Sequence, residues 1–224
     1  MITAATSCGR LGANNALRRA VPGLVTGLLV LSLISGSLPA SADQPPERGM
    51  FLVATPDLGN SGFSRSVILL IQHDADGTMG LIINQRTNFD PAILLPDIEG
   101  LARFGGSLYA GGPVATYGVM MLVKSGVPPG DAAHVFADVY ASGSKELLLD
   151  IVKRGDAANR VRLYAGHAGW LAGQLDEEIE RGSWIVTPAN ESLVFSGDPD
   201  SVWKHLSPTT RPIIVQQGKR KLRL

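Results

Sequence analysis

The sequence predicts a single α+β domain covering residues 50–206. Strand-like and helix-like segments are mixed without the regular strand–helix alternation of a doubly wound parallel sheet. No internal repeat and no long linker divides the body. Two β-rich apolar runs, residues 67–71 and 79–83, flank a turn whose tip is Asp74-Ala75-Asp76-Gly77. Asp and Gly tolerate the left-handed conformations that such tips need. Neither run alternates cleanly with polar residues, so both are expected to be buried on two faces. Each large aliphatic side chain buried this way contributes roughly 1.5–3 kcal/mol gross, so the pair is the expected centre of the core.

The other elements follow in order. Residues 50–55 read as a strand ended by Pro56, and residues 57–64 as a loop or one helical turn broken by Gly59 and Gly62. After the central pair, residues 89–104 suggest one or two short helices, each started by an Asp near a Pro. Residues 107–110 form a short strand running into Gly111-Gly112-Pro113, and residues 118–124 another. Residues 127–131 are a loop, and residues 134–140 a strand. Residues 144–154 are an amphipathic helix with Leu147, Leu148, Ile151 and Val152 on one face and Gly155 just past its end. Residues 161–165 are a strand leading into Gly166-His167-Ala168-Gly169-Trp170. A second helix is expected over residues 171–181, a strand over 184–187, and short helical pieces over 190–195 and 200–206.

Residues 1–42 have the form of a secretory signal. Arg18-Arg19 end a basic region, residues 21–38 are apolar, and Ala40-Ser41-Ala42 fits the small-x-small cleavage pattern, which would make Asp43 the first mature residue. The alternative is an uncleaved membrane anchor, weakened by Pro22, Gly23, Gly27, Gly36 and Pro39. Residues 43–49 are a short polar linker and 207–224 a C-terminal tail. Export, to a periplasmic location, is the expectation.

Residues 1–42 hold three of the twenty basic side chains and none of the twenty acidic ones, so the remainder carries a net charge of −3. A mildly acidic body argues against a nucleic-acid partner. The basic cluster Lys219-Arg220-Lys221 with Arg223 reads as a solvated tail. Cys8 is the only cysteine, so a mature chain starting at Asp43 has neither disulfide nor thiolate chemistry. Phosphate-binding glycine loops, H-E-x-x-H and G-x-S-x-G are absent from the sequence. Ser142-Gly143-Ser144-Lys145 matches S-x-x-K, but at a helix start these serines read as caps.

His73, beside Asp74 and Asp76, is compatible with a weak metal site or with a solvated turn. His167 lies between small residues where backbone can approach a ligand, or where a structural hydrogen bond is made. Gly111-Gly112-Pro113 can present N–H groups to an anion or serve close backbone packing. Gln174 and Glu178, four apart, share a helical face, and Trp170, at the helix entrance four before Gln174, falls on it as well. The last three side chains, with His167 above them, have the composition of a small polar groove with an apolar floor. The plainer alternative makes Trp170 core, binds Gln174 to backbone and leaves Glu178 solvated. No catalytic residue, metal or cofactor is assigned.

Five blocks in order carry a family resemblance: G-M-F-L-V-A-T-P-D-L from Gly49, F-S-R-S-V-I-L-L from Phe63, G-T-M-G-L-I-I-N from Gly77, Y-A-G-G-P-V from Tyr109, and G-H-A-G-W-L-A-G-Q-L-D-E-E-I from Gly166. Together they resemble the YqgE/AlgH family, also called UPF0301 or DUF179. The resemblance implies a mixed sheet curled into a partial barrel with flanking helices, and it implies no established enzymatic activity. Pro56, Ser66, His73, Gly80, Asn84, Gly111, Gly112, Pro113, Gly166, Trp170, Gln174 and Glu178 match the family pattern by position. Of these, His73, Asn84, Trp170, Gln174 and Glu178 are the ones suited to line a groove. His167 stands where the pattern has Tyr, and Leu122-Val123 where it often has Leu-His. The expected function is a non-enzymatic exported binding or regulatory module with a protein or small-molecule partner, touching membrane only through an uncleaved N-terminal segment. The alternative is a small hydrolase or metal-assisted enzyme using His73 or His167. A transcriptional regulator ranks third, since an exported protein does not meet the chromosome.

Overall fold

The computed structural model describes residues 44–59, 61–101, 105–155 and 160–207; the signal-like segment with its cleavage site, and residues 208–224 of the tail, lie outside them. Nine strands form one mixed sheet. They are β1 Met50–Ala54, β2 Val67–Asp74, β3 Gly77–Ile82, β4 Leu108–Ala110, β5 Val114–Lys124, β6 Ala133–Phe136, β7 Val139–Ser142, β8 Val161–Trp170 and β9 Trp184–Pro188. The α-helices are α1 Lys145–Arg154, α2 Gln174–Glu180, α3 Glu191–Val194 and α4 Pro199–Leu206. The sheet order is β6-β7-β5-β8-β3-β2-β1-β9, with β4 paired to β8 off that path.

The central pair is buried on two faces, as its apolar runs require. Side chains alternate across a strand, so β1, β2 and β3 each feed two cores. Phe51, Val53, Val67, Leu69, Ile71 and Leu81 enter one, while Leu52, Ala54, Ile68, Leu70 and Ile82 enter the other. The first core also contains Val135, Val139 and Ala141 from the opposite end of the strand order. That is possible only if the sheet curls and brings its ends around a common interior. Gly49, at the head of β1, accordingly lies against Phe136 of β6; a Cβ there would stand 3.0 Å from the Phe136 Cβ. Val194 and Val202, from α3 and α4, complete this concave core. On the convex side, α1 covers β5 and β8 through Leu148 and Ile151.

The tip of the β2–β3 hairpin is tied by a Gln72 amide donating to Asp74 at 2.8 Å and by the Asp76 N–H at 3.0 Å. The Gln72 bond, followed by that N–H, holds the Asp74 carboxyl below its usual value. Ser144 caps α1 by accepting the Leu147 N–H at 3.2 Å, and Gly155 ends the helix in a left-handed conformation.

Three local expectations are corrected. Residues 134–140 are two strands, β6 and β7, joined by a reversal in which Ala137 takes φ 43° without any glycine to announce it. β5 begins at Val114, four residues before its apolar run. Residues 89–104 do supply a short helix of the expected kind, the 3₁₀ turn Pro91–Ile93, where Asp90 before Pro91 accepts the Ala92 N–H. The strand from Val161 does not stop at Gly166 but continues to Trp170, so α2 starts at Gln174, and Trp170 belongs to a strand rather than to the helix entrance.

β8 organises the sheet around Gly166. On one edge it faces β5 from Val161↔Val123 to His167↔Val114, with a register shift on β5 between Val114 and Val119. On the other edge it pairs with β4 in parallel over Leu163–Ala165 and with β3 antiparallel over Ala168–Trp170. β3 and β8 thus diverge, and β4 is wedged between β8 and the chain after β3, with Arg86 bridging Tyr109. The wedge forces backbone against backbone. A Cβ on Gly111 would lie 2.3 Å from the Gly166 oxygen, and one on Gly112 2.2 Å from the His167 carbonyl carbon. Gly166 itself has φ 69° and sits 2.5 Å, by the same measure, from the Gly112 oxygen. Gly111 and Gly112 are therefore expected to tolerate no side chain. Gly112→Ala should cost ~3 kcal/mol or more, lowering the melting temperature by about 6–12 °C. Gly62→Ala, at a position with open space around it, should melt within about 2 °C of the parent. Paired thermal melts of the two variants check this.

Candidate functional site

The structure brings together three of the groove residues named from the sequence. Trp170 at the end of β8 donates its indole N–H to Glu178 at 3.0 Å, and Trp184 of β9 donates to the same oxygen at 2.8 Å. The other Glu178 oxygen accepts the Gln174 amide at 3.1 Å, while the Gln174 carbonyl accepts the Leu171 N–H. Phe63 stacks on Trp170 at 6.3 Å and meets Trp184 edge-on at 5.8 Å. The carboxylate is spent joining two indoles and a helix face. The cluster pins α2 to the ends of β8 and β9, because an indole N–H can only donate and a carboxylate can only accept.

The remaining residues lie elsewhere. Asn84 is buried, accepting the Val67 N–H at 2.8 Å and donating to the Arg65 carbonyl at 2.9 Å, so it continues the β2–β3 ladder in side-chain form. His73 pairs across the hairpin with Thr78, Nδ1 to Oγ1 at 2.7 Å. His167 pairs with Val114 across the β5–β8 ladder, with its ring 3.8 Å from where a Gly169 Cβ would be. Pro113, like Gly111, Gly112 and Gly166, belongs to the crossing of the β4–β5 link over β8. Ser142 accepts the Ser144 N–H and donates to the Asp131 carbonyl, and Lys145 is paired with Asp97 at 3.0 Å, so S-x-x-K is a capping arrangement. Among the described residues no group of three His, Cys, Asp or Glu is placed to hold a metal ion.

Sequence reasoning missed a different cluster. Arg162 of β8 sits opposite Leu122 of β5, on the concave face with Tyr164. Its guanidinium lies 4.9 Å from the centre of the Tyr109 ring and 5.9 Å from that of Phe195, within range of cation–π attraction. One terminal nitrogen donates to the Tyr109 hydroxyl, the other to the Ser196 carbonyl. No carboxylate joins it among the described residues. Glu191, in α3 just before Phe195, is taken by Lys124. Burial lowers the Arg162 pKa below the usual arginine value, and the nearby Arg86 charge pushes the same way. Arg162 Nε and the Tyr164 hydroxyl are both buried with no hydrogen-bond partner among the described residues. Burial drives the Tyr164 phenol well above its ordinary pKa, so it stays protonated. In sequence, Arg162 looks like an outward position of an alternating strand. The available signal was Tyr164 two residues on, which shares its face.

A nine-stranded curled sheet with its helices packed inside and outside defines an α+β partial-barrel domain. The AlgH-like family model (DUF179) matches residues 51–210. A UPF0301 protein of Methylococcus capsulatus is 39% identical over 171 residues, covering 70% of this chain and 87% of its own. One from Streptomyces coelicolor is 34% identical, covering 70% and 83%. The crystal structure of a protein from Corynebacterium diphtheriae superposes with a TM-score of 0.63 at 30% identity, covering 76% of this chain and 90% of that one. The solution structure of the AlgH protein from Pseudomonas aeruginosa gives 0.58 at 27% identity, covering 69% and 84%. This chain belongs to the AlgH-like family.

Two side chains test the local geometry. Glu178→Ala leaves two indole donors without their acceptor and should destabilise by about 1.5–3 kcal/mol, whereas Gln174→Ala, at an exposed site, should cost under about 1 kcal/mol; urea melts compare them. Tyr164→Phe removes a buried hydroxyl that bonds to none of the described residues. Its stability should equal or exceed that of the parent, measured in the same way. A loss above about 1 kcal/mol would show that the hydroxyl has a partner.

Proposed function

We propose that this protein is an exported, non-enzymatic binding module of the AlgH-like family, working in the periplasm. What supports binding rather than catalysis is Arg162: a cation held in the concave core by aromatic faces, a phenol and a carbonyl, with its charge left unbalanced. Such an arrangement orients a charge for recognition and offers no nucleophile or proton-transfer pair beside it. The serines of S-x-x-K and His73 are engaged in caps and a cross-strand bond. What supports export is the basic, apolar and Ala40-Ser41-Ala42 succession at the N-terminus.

N-terminal sequencing and intact mass of the native protein test the location. Asp43 as first residue, in the periplasmic fraction, is the expected outcome; Met1 retained in the cytosol rejects export. A metal analysis with a broad hydrolase screen on the purified mature chain tests the binding reading. Turnover that depends on His73 or His167 would replace it with the enzymatic one.

A further inference from the structure

We infer that the Arg162 cluster, together with Arg86, is a binding site for an oxyanion, the carboxylate or phosphate group of a larger ligand. The inference deepens the binding-module reading and does not depend on export. It follows from an inventory of donors. The Tyr109 hydroxyl accepts from Arg162, which leaves its own proton to donate. Arg162 uses one contact of each terminal nitrogen and keeps further N–H groups on the same edge. Arg86 is exposed, is paired through backbone with Tyr109, and makes no side-chain hydrogen bond or ion pair among the described residues. Arg86 is thus the bridge partner of Tyr109, whose hydroxyl holds Arg162, and among the described residues neither guanidinium is ion-paired with an acidic side chain.

A partly buried guanidinium that lacks a counter-charge costs free energy unless an anion joins it. Water can fill a vacant hydrogen bond there but does not neutralise two charges. An acceptor-only group with a formal charge does both. Oxygens of a carboxylate or phosphate match the planar fork of arginine, which favours bidentate contact. The Ser196 carbonyl, which now accepts from Arg162, marks where one oxygen of the ligand would compete or join.

The test titrates the full mature chain with inorganic phosphate and, separately, with acetate, at an ionic strength fixed by sodium chloride. Nitrogen NMR of the arginine Nε–H resonances is the readout, with thermal melts in parallel. The Arg162 resonance should shift saturably with at least one of the two anions. Saturation by phosphate alone identifies a phosphoryl ligand, and by acetate a carboxylate. Arg86→Gln should weaken binding at least fivefold while melting like the parent without ligand. Arg162→Lys, which keeps the charge but loses the fork, should weaken it at least tenfold. A shift that never saturates, that chloride reproduces, or that Arg86→Gln leaves unchanged overturns the inference. Because Arg86 is exposed and unpaired in the described structure, its variant remains informative even if Arg162→Lys fails to fold.

Discussion

The sheet depends on two stretches of backbone meeting with no side chains between them. β8 can hold β5 along one edge while exchanging β4 for β3 on the other only because Gly166 kinks the strand at the exchange point. Gly111 and Gly112 must pass directly over that kink, so that the Gly111 N–H reaches the Ala165 carbonyl and its own carbonyl accepts from Ile82. Three ladders are thus joined at one crossing. The curl follows from it, since a strand whose neighbours diverge cannot remain in a flat sheet. The curl in turn produces the concave core, into which α3 and α4 pack and at whose mouth Arg162 is held.

Much of this was legible locally. The strand pair at residues 67–83 announced itself by apolar runs too continuous to have a wet face, and the structure sends alternate side chains into two separate cores. α1 carried both of its end signals, Ser144 before it and Gly155 after it. What was not legible came from reversals and kinks without their usual residues. Ala137 makes a left-handed turn that nothing in Phe136-Ala137-Asp138-Val139 advertises, and this hid a hairpin inside an apparent single strand. Gly166 invited the opposite error, since a glycine that looks like a strand end is here a left-handed kink within the strand.

The same mixture applies to the side chains. Trp170, Gln174 and Glu178 were grouped correctly in space although Trp170 is not on the helix: the indole reaches Glu178 from the end of a strand. Helical spacing gave the Gln174–Glu178 contact, while the second tryptophan, Trp184, comes from a strand beyond the helix and no spacing rule could supply it. Arg162 escaped notice because its meaning lies entirely in what is missing around it. One arginine in an alternating strand is ordinary. It becomes informative only when the fold shows Tyr109 and Phe195 at its faces and Glu191 already taken by Lys124.

The placement of the aromatic residues divides the protein into two optical channels. All three tryptophans anchor structure: Trp170 and Trp184 bond Glu178 of α2, and Trp203 of α4 donates to the Ala54 carbonyl at 2.8 Å. Tyr109 and Tyr164, with ring centres 5.4 Å apart, gather instead at the guanidinium. Indole emission therefore reports whether α2 and α4 are seated, while the part of the tyrosine absorbance that comes from Tyr109 and Tyr164, and not from Tyr117 and Tyr140, reports the environment of Arg162. Events at the guanidinium and loosening of α2 or α4 leave distinct spectral traces in the unlabelled protein.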